Sequence, residues 1–223
     1  MFAIALDGPA GAGKSTVAKM AATRLGMHYV DTGAMYRTLA YDMLRRHVDI
    51  GREDEVARAL EQIRIRIVYD ENVQRMFLGE EEVTDRIRTP QVGEATSTIA
   101  VYRAVRDKLL ALQRDLAKEY EVIMDGRDIG TTILPDAPLK VYLTAEAKQR
   151  GRRRFLELEE KEPGKHTLEE TIQAIKDRDE RDMNREIAPL RKAADAIVLD
   201  TTHMTAQQAA DALVQMAQEA RGR

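Results

Sequence analysis

The sequence contains no cysteine and no tryptophan, and aromatic residues make up only 4% of its 223 residues. The absence of cysteine excludes disulfide bonds, thiol chemistry and thiolate metal sites. A net charge of −3 with so few aromatic side chains argues against nucleic-acid binding, which requires a basic face and stacking rings. No apolar run approaches the roughly 18 residues that a membrane span needs, and no secretory leader precedes the first strand pattern. We therefore expect a cytoplasmic protein that binds neither membranes nor nucleic acid.

A glycine-rich segment follows the apolar run from Phe2 to Leu6. It reads Gly8-Pro9-Ala10-Gly11-Ala12-Gly13-Lys14-Ser15-Thr16 and opens a helix-patterned stretch, so it fits the P-loop pattern G-x-x-x-x-G-K-[ST] in its strand–loop–helix context. Glycine lets successive backbone N–H groups converge on phosphate oxygens. Lys14 is expected to contact the β- and γ-phosphates, and Ser15 is expected to hold Mg²⁺. The segment therefore predicts a binding site for a nucleoside triphosphate such as ATP, although GTPases, motor ATPases and small-molecule kinases all share this motif.

Strand and helix patterns alternate along most of the chain. This alternation predicts an α/β fold, a doubly wound parallel sheet of the P-loop kinase type with helices on both faces. The expected strands are Phe2 to Leu6, Met27 to Val30, Val122 to Met124, Leu139 to Leu143 and Ala196 to Leu199, and the expected helices include Ser15 to Leu25 and about Thr205 to Ala220. We assign residues 1–48, 91–148 and 186–223 to this core.

Residues 49–90 interrupt the alternation. Isoleucines alternate with arginines from Ile63 to Ile67, and the strand-like run Val73 to Leu78 follows a turn at Asp70-Glu71-Asn72. Period-two patterning with one polar face predicts a small antiparallel sheet inserted in the core.

Residues 149–185 form a second interruption, and nearly all of their side chains are charged. The sequence Glu162-Pro163-Gly164-Lys165 predicts a turn between two helical halves. A charge run is usually a solvated helical face, on which arginines pair with acids along the same helix. In that interpretation Arg178, Arg181 and Arg185 pair with Asp179, Asp182 and Glu186, and the acids hold the arginines until a substrate arrives.

Two polar segments are expected at the carboxyl edge of the sheet, where doubly wound proteins bind ligands. Asp31, Tyr36 and Arg37 follow the second strand, and Asp125-Gly126-Arg127-Asp128 follows the strand that ends at Met124. The rigid fork of an arginine suits a phosphate, and an aspartate after such a strand suits the surroundings of Mg²⁺. A surface helix position for Arg37 and a tight Asp-Gly turn are the alternatives.

The combination of motifs resembles the bacterial cytidylate kinases, which belong to the nucleoside monophosphate kinases. The resemblance rests on GPAGAGKST, DTGAMYR, IRTPQV at Ile87 to Val92, DGRDIGT followed by LPDAPLKVYL, and RDERDMNREIAPL from Arg178 to Leu190. These motifs occur in order and cover essentially the whole chain. The resemblance implies transfer of a phosphoryl group from MgATP to CMP or dCMP, a reaction of pyrimidine nucleotide metabolism, by an enzyme that works as a monomer.

The resemblance also implies roles for individual residues. Lys14, Asp125, Arg127 and Arg185 are expected to serve catalysis, and the P-loop from Gly8 to Thr16 is expected to bind ATP. Arginines at 37, 127 and 185 are expected to hold the acceptor phosphate. The remaining acceptor contacts implied by the family are Thr32 and Tyr36 beside the acceptor, Ser97, Arg106 and Asp128 at the cytosine edge, and Arg178 and Asp182 at the sugar. Residues 49–90 correspond to the acceptor-side domain, and residues 149–185 correspond to a mobile lid.

Two features depart from the family pattern: Thr32 stands where serine is also found, and Met183 interrupts the arginine spacing of the lid. One alternative is a related kinase that acts on another small acceptor, such as UMP, AMP or shikimate. A nucleotide-switched binding module like a GTPase is a second alternative, which predicts an N-K-x-D motif that this sequence does not contain.

Overall fold

The computed structural model describes residues 1–70 and 73–222, so Glu71 and Asn72 of the predicted turn lie outside the described residues. In chain order the strands and helices are β1 (Ala3–Asp7), α1 (Lys14–Leu25), β2 (His28–Asp31), α2 (Thr32–Arg45), α3 (Glu53–Gln62), β3 (Ile65–Asp70), β4 (Val73–Leu78), β5 (Glu81–Glu82), α4 (Pro90–Ile99), α5 (Arg103–Glu119), β6 (Val122–Gly126), β7 (Leu139–Thr144), α6 (Ala147–Lys161), α7 (Leu168–Asn184), β8 (Ile197–Asp200) and α8 (Ala206–Arg221). A 3-10 turn covers Arg86–Arg88, and a π-helical turn covers Ile129–Ile133.

A parallel sheet in the order β2-β6-β1-β7-β8 forms the centre of the protein. Strand β1 lies in the middle, with Asp7 opposite Gly126 of β6 and Tyr142 of β7. The five predicted strands are confirmed, with boundaries that differ by one or two residues. They are readable as short apolar runs because helices cover both of their faces. The predicted α/β class is therefore correct.

Two apolar clusters pack against opposite faces of the sheet. On one face, Ile4 and Leu6 of β1 contact apolar residues of α1 and α8. On the other face, Ala3 and Ala5 contact a cluster that includes residues of α2, α4 and α5. Successive side chains of a strand point to opposite faces, so one buried strand contributes to both clusters.

The inserted segment contains the predicted antiparallel sheet, in the order β3-β4-β5. Ile65 of β3 lies opposite Leu78 of β4. Strand β3 begins two residues later than the alternation suggests, because α3 precedes it, and α3 is an element that the sequence analysis did not identify. Apolar residues of the insert, including Leu60 and Met76, join the same cluster as α2. This shared cluster fixes the insert beside the carboxyl edge of the sheet.

Helices α6 and α7 form the predicted helical hairpin. The connection contains Gly164 at a φ of 74°, a left-handed conformation that suits glycine. Helix α7 begins with a capping box, in which Thr167 and Glu170 each accept a backbone N–H from the other. No helix in the described part of the chain combines the length and the apolar composition that crossing a membrane would require.

Candidate active site

The P-loop connects β1 to α1 in a conformation that depends on glycine. Gly8 has a φ of 151°, and a Cβ atom there would lie 2.0 Å from the carbonyl oxygen of Leu143 on the neighbouring strand. Gly11 and Gly13 have φ values of 69° and 92°. No other residue type fits this path without strain. The loop therefore follows the path that the motif predicts, with Pro9, Ala10 and Ala12 buried and Thr16 exposed in the first turn of α1.

Lys14 is the first residue of α1, and its side chain lies inside the loop. Its Nζ atom donates hydrogen bonds to the carbonyl oxygens of Gly8 at 2.8 Å and Pro9 at 2.9 Å. Burial, followed by the positive charge of Arg127, lowers the pKa of Lys14 to about 7. An anion such as a phosphate would favour the charged form of this lysine.

Ser15 and Asp125 are brought together although 110 positions separate them in the sequence. The Oγ atom of Ser15 donates to Oδ2 of Asp125 at 2.7 Å, and the hydroxyl of Tyr29 donates to the same oxygen at 2.9 Å. Burial, followed by the nearby carboxylate of Asp31, raises the pKa of Asp125. A hydroxyl and a carboxylate are oxygen ligands of the kind that Mg²⁺ prefers, so the residues present fit this ion. Thr32 lies beside them and donates to the carbonyl oxygen of Asp125 at 2.7 Å.

Several candidate arginines pair with carboxylates from other segments of the chain. Arg37 donates to Asp31 at 2.8 Å, and Asp31 also caps α2 by accepting the N–H of Ala34. Arg127 donates to Asp182 of α7 at 2.7 Å. These pairs hold the guanidinium groups in place while leaving some of their N–H donors free for a ligand.

The interpretation that the lid arginines pair with acids along α7 is wrong. Asp182 pairs with Arg127, and Asp179 pairs with Arg150 of α6, so these acids connect α7 to other elements. Arg185 pairs with Asp128, at 3.2 Å. The reason is burial: Asp179 faces the P-loop, where a pair across elements removes two charges from water together.

Arg178 lies near Arg127 and Arg37, and most of its side chain is buried. Burial lowers its pKa to about 10, and Arg127 contributes next. Its Nε atom is buried and has no hydrogen-bond partner among the described residues. This part of the site therefore carries more positive charge than its own carboxylates neutralise, which favours an anionic ligand.

Asp128, Arg106 and Tyr36 form a second part of the site. The Asp128 carboxylate pairs with Arg106, and the Arg106 guanidinium lies 5.9 Å from the centre of the Tyr36 ring. Burial raises the pKa of Asp128 even though Arg106 and Arg185 both lower it. Tyr36 and Arg106 line a cavity of about 330 Å³, whose wall also includes Gln113 of α5. This volume lies within the range of pockets that hold small molecules.

Ser97 lies on α4, outside the cavity that Tyr36 and Arg106 line. Its hydroxyl donates to the carbonyl oxygen of Gly93 one turn earlier in α4, at 3.3 Å. It lines a second cavity of about 300 Å³ together with Arg178, Asp182 and Arg185. The structure therefore places Ser97 beside the expected sugar contacts and beside Arg185, which pairs with Asp128.

Three buried charged residues near the P-loop escaped the sequence analysis. Asp179 accepts the N–H of Ala10 at 3.0 Å and pairs with Arg150 at 2.5 Å. Asp7 accepts the N–H groups of Ile129 and Gly130, each at 2.8 Å. The position of Asp7 at the end of a buried strand was a usable signal. Nothing in the charge run distinguishes Arg150 or Asp179 from their exposed neighbours.

Comparisons with known proteins identify the family of the chain and support its fold. A sequence model of the cytidylate kinase family matches residues 4–219. A protein named cytidylate kinase from Limosilactobacillus fermentum is 47% identical, over 93% of this chain and 92% of its own length. Another from Desulfitobacterium hafniense is 46% identical, over 96% and 91%.

Solved structures support the fold. The shikimate kinase of Acinetobacter baumannii, in complex with shikimate, aligns with a TM-score of 0.51 and 16% identity, over 100% of this chain and 96% of that one. The shikimate kinase of Bacteroides thetaiotaomicron aligns with a TM-score of 0.51 and 17% identity, over 100% and 99%. At these identities the likeness concerns the fold alone. The family match and the sequence relatives extend over nearly the whole chain, and the chain therefore belongs to the cytidylate kinase family and is a kinase.

Proposed function

We propose that this protein transfers the γ-phosphoryl group of MgATP to CMP or dCMP, giving ADP and CDP or dCDP. The observation that carries the proposal is the position of Arg127. It lies close enough to lower the pKa of both Lys14 in the P-loop and Arg178 in α7. Arg127, which also pairs with Asp182 of α7 at 2.7 Å, therefore lies near both the proposed triphosphate site and a second cationic site. Two anionic substrates can be held next to each other only where such charges converge.

In this proposal Lys14 contacts the β- and γ-phosphates of ATP, and the backbone N–H groups of the loop surround the phosphate oxygens. Arg37, Arg127 and Arg185 hold the phosphate of the acceptor nucleotide in line for attack. Their carboxylate partners position these arginines before substrate binds, so less reorganisation is needed during the reaction.

Mg²⁺ would be held by Ser15, with Asp125 orienting its surroundings, and when bound it offsets charge on the transferring phosphoryl group. The hydrogen bond between Ser15 and Asp125 supports this assignment, because it places both oxygens at the start of α1. The protein side chains form no covalent bond with the substrate in this scheme. They position two nucleotides and exclude water.

The Asp128–Arg106 pair is proposed to select the base. Cytosine presents an amino donor beside two acceptors, whereas uracil presents the opposite arrangement at the first two positions. A buried carboxylate and guanidinium that match cytosine would be left unpaired against uracil, which is costly. Ser97 is proposed to contribute from the adjacent cavity, and Arg178 and Asp182 are proposed to contact the sugar.

The two additional segments are proposed to act as moving parts. Residues 49–90 form the acceptor-side domain, and residues 149–185 form a lid that closes over ATP. The contact of Asp179 with the N–H of Ala10 supports a closed position of the lid on the P-loop. Closing only with substrates present would limit hydrolysis of ATP.

We also propose that one chain is sufficient for activity and that it works in the cytoplasm, where nucleotides are available. In this proposal every assigned group is supplied by one chain, so the reaction does not require a second copy. Size-exclusion chromatography with light scattering measures this directly, and a stable dimer would contradict it.

The experiment that tests the function is an assay of ADP release with MgATP and a panel of acceptors: CMP, dCMP, UMP, AMP, GMP and shikimate. We expect CMP and dCMP to give the largest kcat/KM. A larger value for AMP, UMP or shikimate would identify a related kinase instead.

The base assignment has its own test. Asp128→Asn and Arg106→Met are each expected to reduce kcat/KM for CMP by about tenfold or more relative to UMP, because each removes a group that matches the hydrogen-bonding edge of cytosine and not that of uracil. Lys118→Met, at an exposed position on the same helix as Arg106, is the control and should leave the ratio unchanged. If both variants keep the wild-type ratio of CMP to UMP, these residues do not select the base.

A further inference from the structure

Asp7 is a buried carboxylate to which the proposed mechanism gives no role. It is the last residue of the central strand β1 and directly precedes Gly8, where the P-loop begins. Its side chain contacts the segment that follows β6. One carboxylate oxygen accepts the N–H of Ile129 and the other accepts the N–H of Gly130, each at 2.8 Å. Both oxygens are therefore engaged by one short stretch of backbone.

That stretch is the start of the π-helical turn Ile129–Ile133, directly after Asp128. The carbonyl oxygen of Asp128 accepts the N–H of Thr132 at 2.9 Å, so the turn begins at this residue. The first N–H groups of such a turn have no hydrogen-bond acceptor within the turn. Asp7 provides the acceptors for two of them, the N–H groups of Ile129 and Gly130. The backbone on the carboxyl side of Asp128 is thus fixed by a residue of the central strand.

The fit between Asp7 and this turn leaves little spare room. A Cβ atom at Gly130 would lie 3.4 Å from Oδ2 of Asp7 and 3.2 Å from Cδ of Lys140. The Asp128 side chain, one residue before the fixed backbone, pairs with both Arg106 and Arg185. A shift of the turn would therefore change the orientation of the pair that faces the acceptor.

We infer that Asp7 is a positioning residue for acceptor selection: by holding the N–H groups of Ile129 and Gly130 it sets the orientation of Asp128 and thereby the selectivity among nucleoside monophosphates. The inference rests on the proposed function only for the identity of the favoured base. The same contact joins the first residue before the P-loop to the acceptor side, so one short span of β1 aligns both sites.

The electrostatics favour a functional role over a stabilising one. Burial raises the pKa of Asp7 to about 6, although the N–H groups of Gly130 and Ile129 stabilise its ionised form. An acid whose pKa rises on folding reduces stability at neutral pH. The ionised carboxylate at this position is therefore retained at a cost in stability, while it keeps two acceptors directed at the turn.

The test compares Asp7→Asn with the wild type over the acceptor panel. Asparagine keeps the size of the side chain but offers one acceptor and an NH₂ group, which cannot accept the second N–H. We expect kcat/KM for the favoured acceptor to fall by about tenfold or more, the ratio between the favoured and second acceptor to narrow, and the KM for ATP to change less than about threefold. A role in stability alone would lower the amount of folded protein without changing that ratio.

Gly130→Ala tests the same contact from the other side and retains the charge of Asp7. This variant is expected to bring kcat/KM of the favoured and the second acceptor closer together, as Asp7→Asn does, but by a smaller factor. The inference can therefore be tested even if Asp7→Asn does not fold. Asp42→Asn is the matched control, because Asp42 is a fully buried carboxylate that pairs with Arg45 and Arg46.

The outcomes separate the two claims. An unchanged acceptor ratio in the folded Asp7 or Gly130 variant overturns the inference, as does an equal change in the Asp42 control. A wild-type enzyme that prefers an acceptor other than CMP or dCMP overturns the proposed function. The effect of Asp7 can be measured whichever acceptor the wild type prefers. The ratio compares kcat/KM of the best acceptor with kcat/KM of the second best, whatever their identities.

Discussion

Replacement of Asp179 by alanine is expected to release the lid from the P-loop. In the structure, Asp179 holds the N–H of Ala10 with one oxygen and Nη1 of Arg150 with the other, at 3.0 and 2.5 Å. Arg150 also donates to the carbonyl oxygens of Ala10 and Ala145, each at 2.8 Å. Asp179 and Arg150 are only 5% and 6% exposed. The alanine variant would leave a buried guanidinium without its counter-charge and the N–H of Ala10 without this acceptor.

Removing one partner of a buried ion pair costs about 3–5 kcal/mol. The lid can avoid this cost by opening, which lets Arg150 reach water. We therefore expect the substitution to lower mainly the free energy of local opening of α7, and to lower the free energy of global unfolding less. A decrease of about 3 kcal/mol in the free energy of opening corresponds to a roughly 150-fold increase in the open population.

Hydrogen exchange of the α7 amides, measured by mass spectrometry, reports this population. Asp177→Ala is the matched control, because Asp177 is an exposed carboxylate on the same helix. The double variant Asp179→Leu/Arg150→Met removes both charges and is expected to recover more than half of the lost protection. If the α7 amides exchange at the same rate in Asp179→Ala as in the Asp177→Ala control, the reasoning is refuted. It is also refuted if the losses of protection in Asp179→Leu and Arg150→Met simply add up in the double variant.

Three further predictions concern the charged groups of the site. Lys14→Ala is expected to keep the fold by circular dichroism and to lower phosphoryl transfer by several powers of ten, because it removes the charge directed at the transferring group; near-normal activity would exclude that role. Arg37→Ala and Arg127→Ala are each expected to lower kcat/KM for CMP by an amount equivalent to about 1.5–3 kcal/mol with a smaller effect on ATP binding, and equal losses for both nucleotides would indicate a general structural defect. The pKa of Asp7 rises from 3.8 to about 6 on folding, so its contribution to stability is fully present below about pH 4 and is lost as the pH rises through about 6, by about 3 kcal/mol. Urea unfolding gives the free energy of unfolding of the wild type and of Asp7→Asn. The difference between these two free energies should change between pH 4 and 7, and a difference that stays constant would contradict the prediction.

Local sequence patterns predicted most of the core, because each of its strands and helices has an apolar or amphipathic pattern that can be recognised without its neighbours. The P-loop is the clearest example, since Gly8, Gly11 and Gly13 have φ values that other residue types adopt only with strain. Helix α3 and the π-helical turn after Asp128 were not identified. The first was readable, because Val56 and Leu60 lie one helical turn apart after three acidic residues of the first turn, and the second depends on Asp7, which lies 122 positions away from Ile129.

The ion pairs were the least predictable part of the site. The sequence suggests pairing along α7, because neighbouring charges at helical spacing can always be matched. Burial of one face of α7 against the P-loop instead directs Asp179 to Arg150 and Asp182 to Arg127. The packing of α7 decides which of its charges become buried. Because the charges are spread evenly along the sequence, the sequence does not indicate which face of the helix that will be.

The sequence by itself determined the α/β class, the phosphate-binding loop and the set of arginines, because these depend on short motifs and on the period of apolar residues. The tertiary structure alone decided how these groups combine. It placed Arg127 near both Lys14 and Arg178, set Ser97 in one cavity with Arg178 and Arg185, and directed Asp7 at the turn after Asp128. The physical reason is that a parallel sheet brings together the carboxyl ends of strands that are far apart in sequence, and the burial of charge there is settled only once the helices have packed around it.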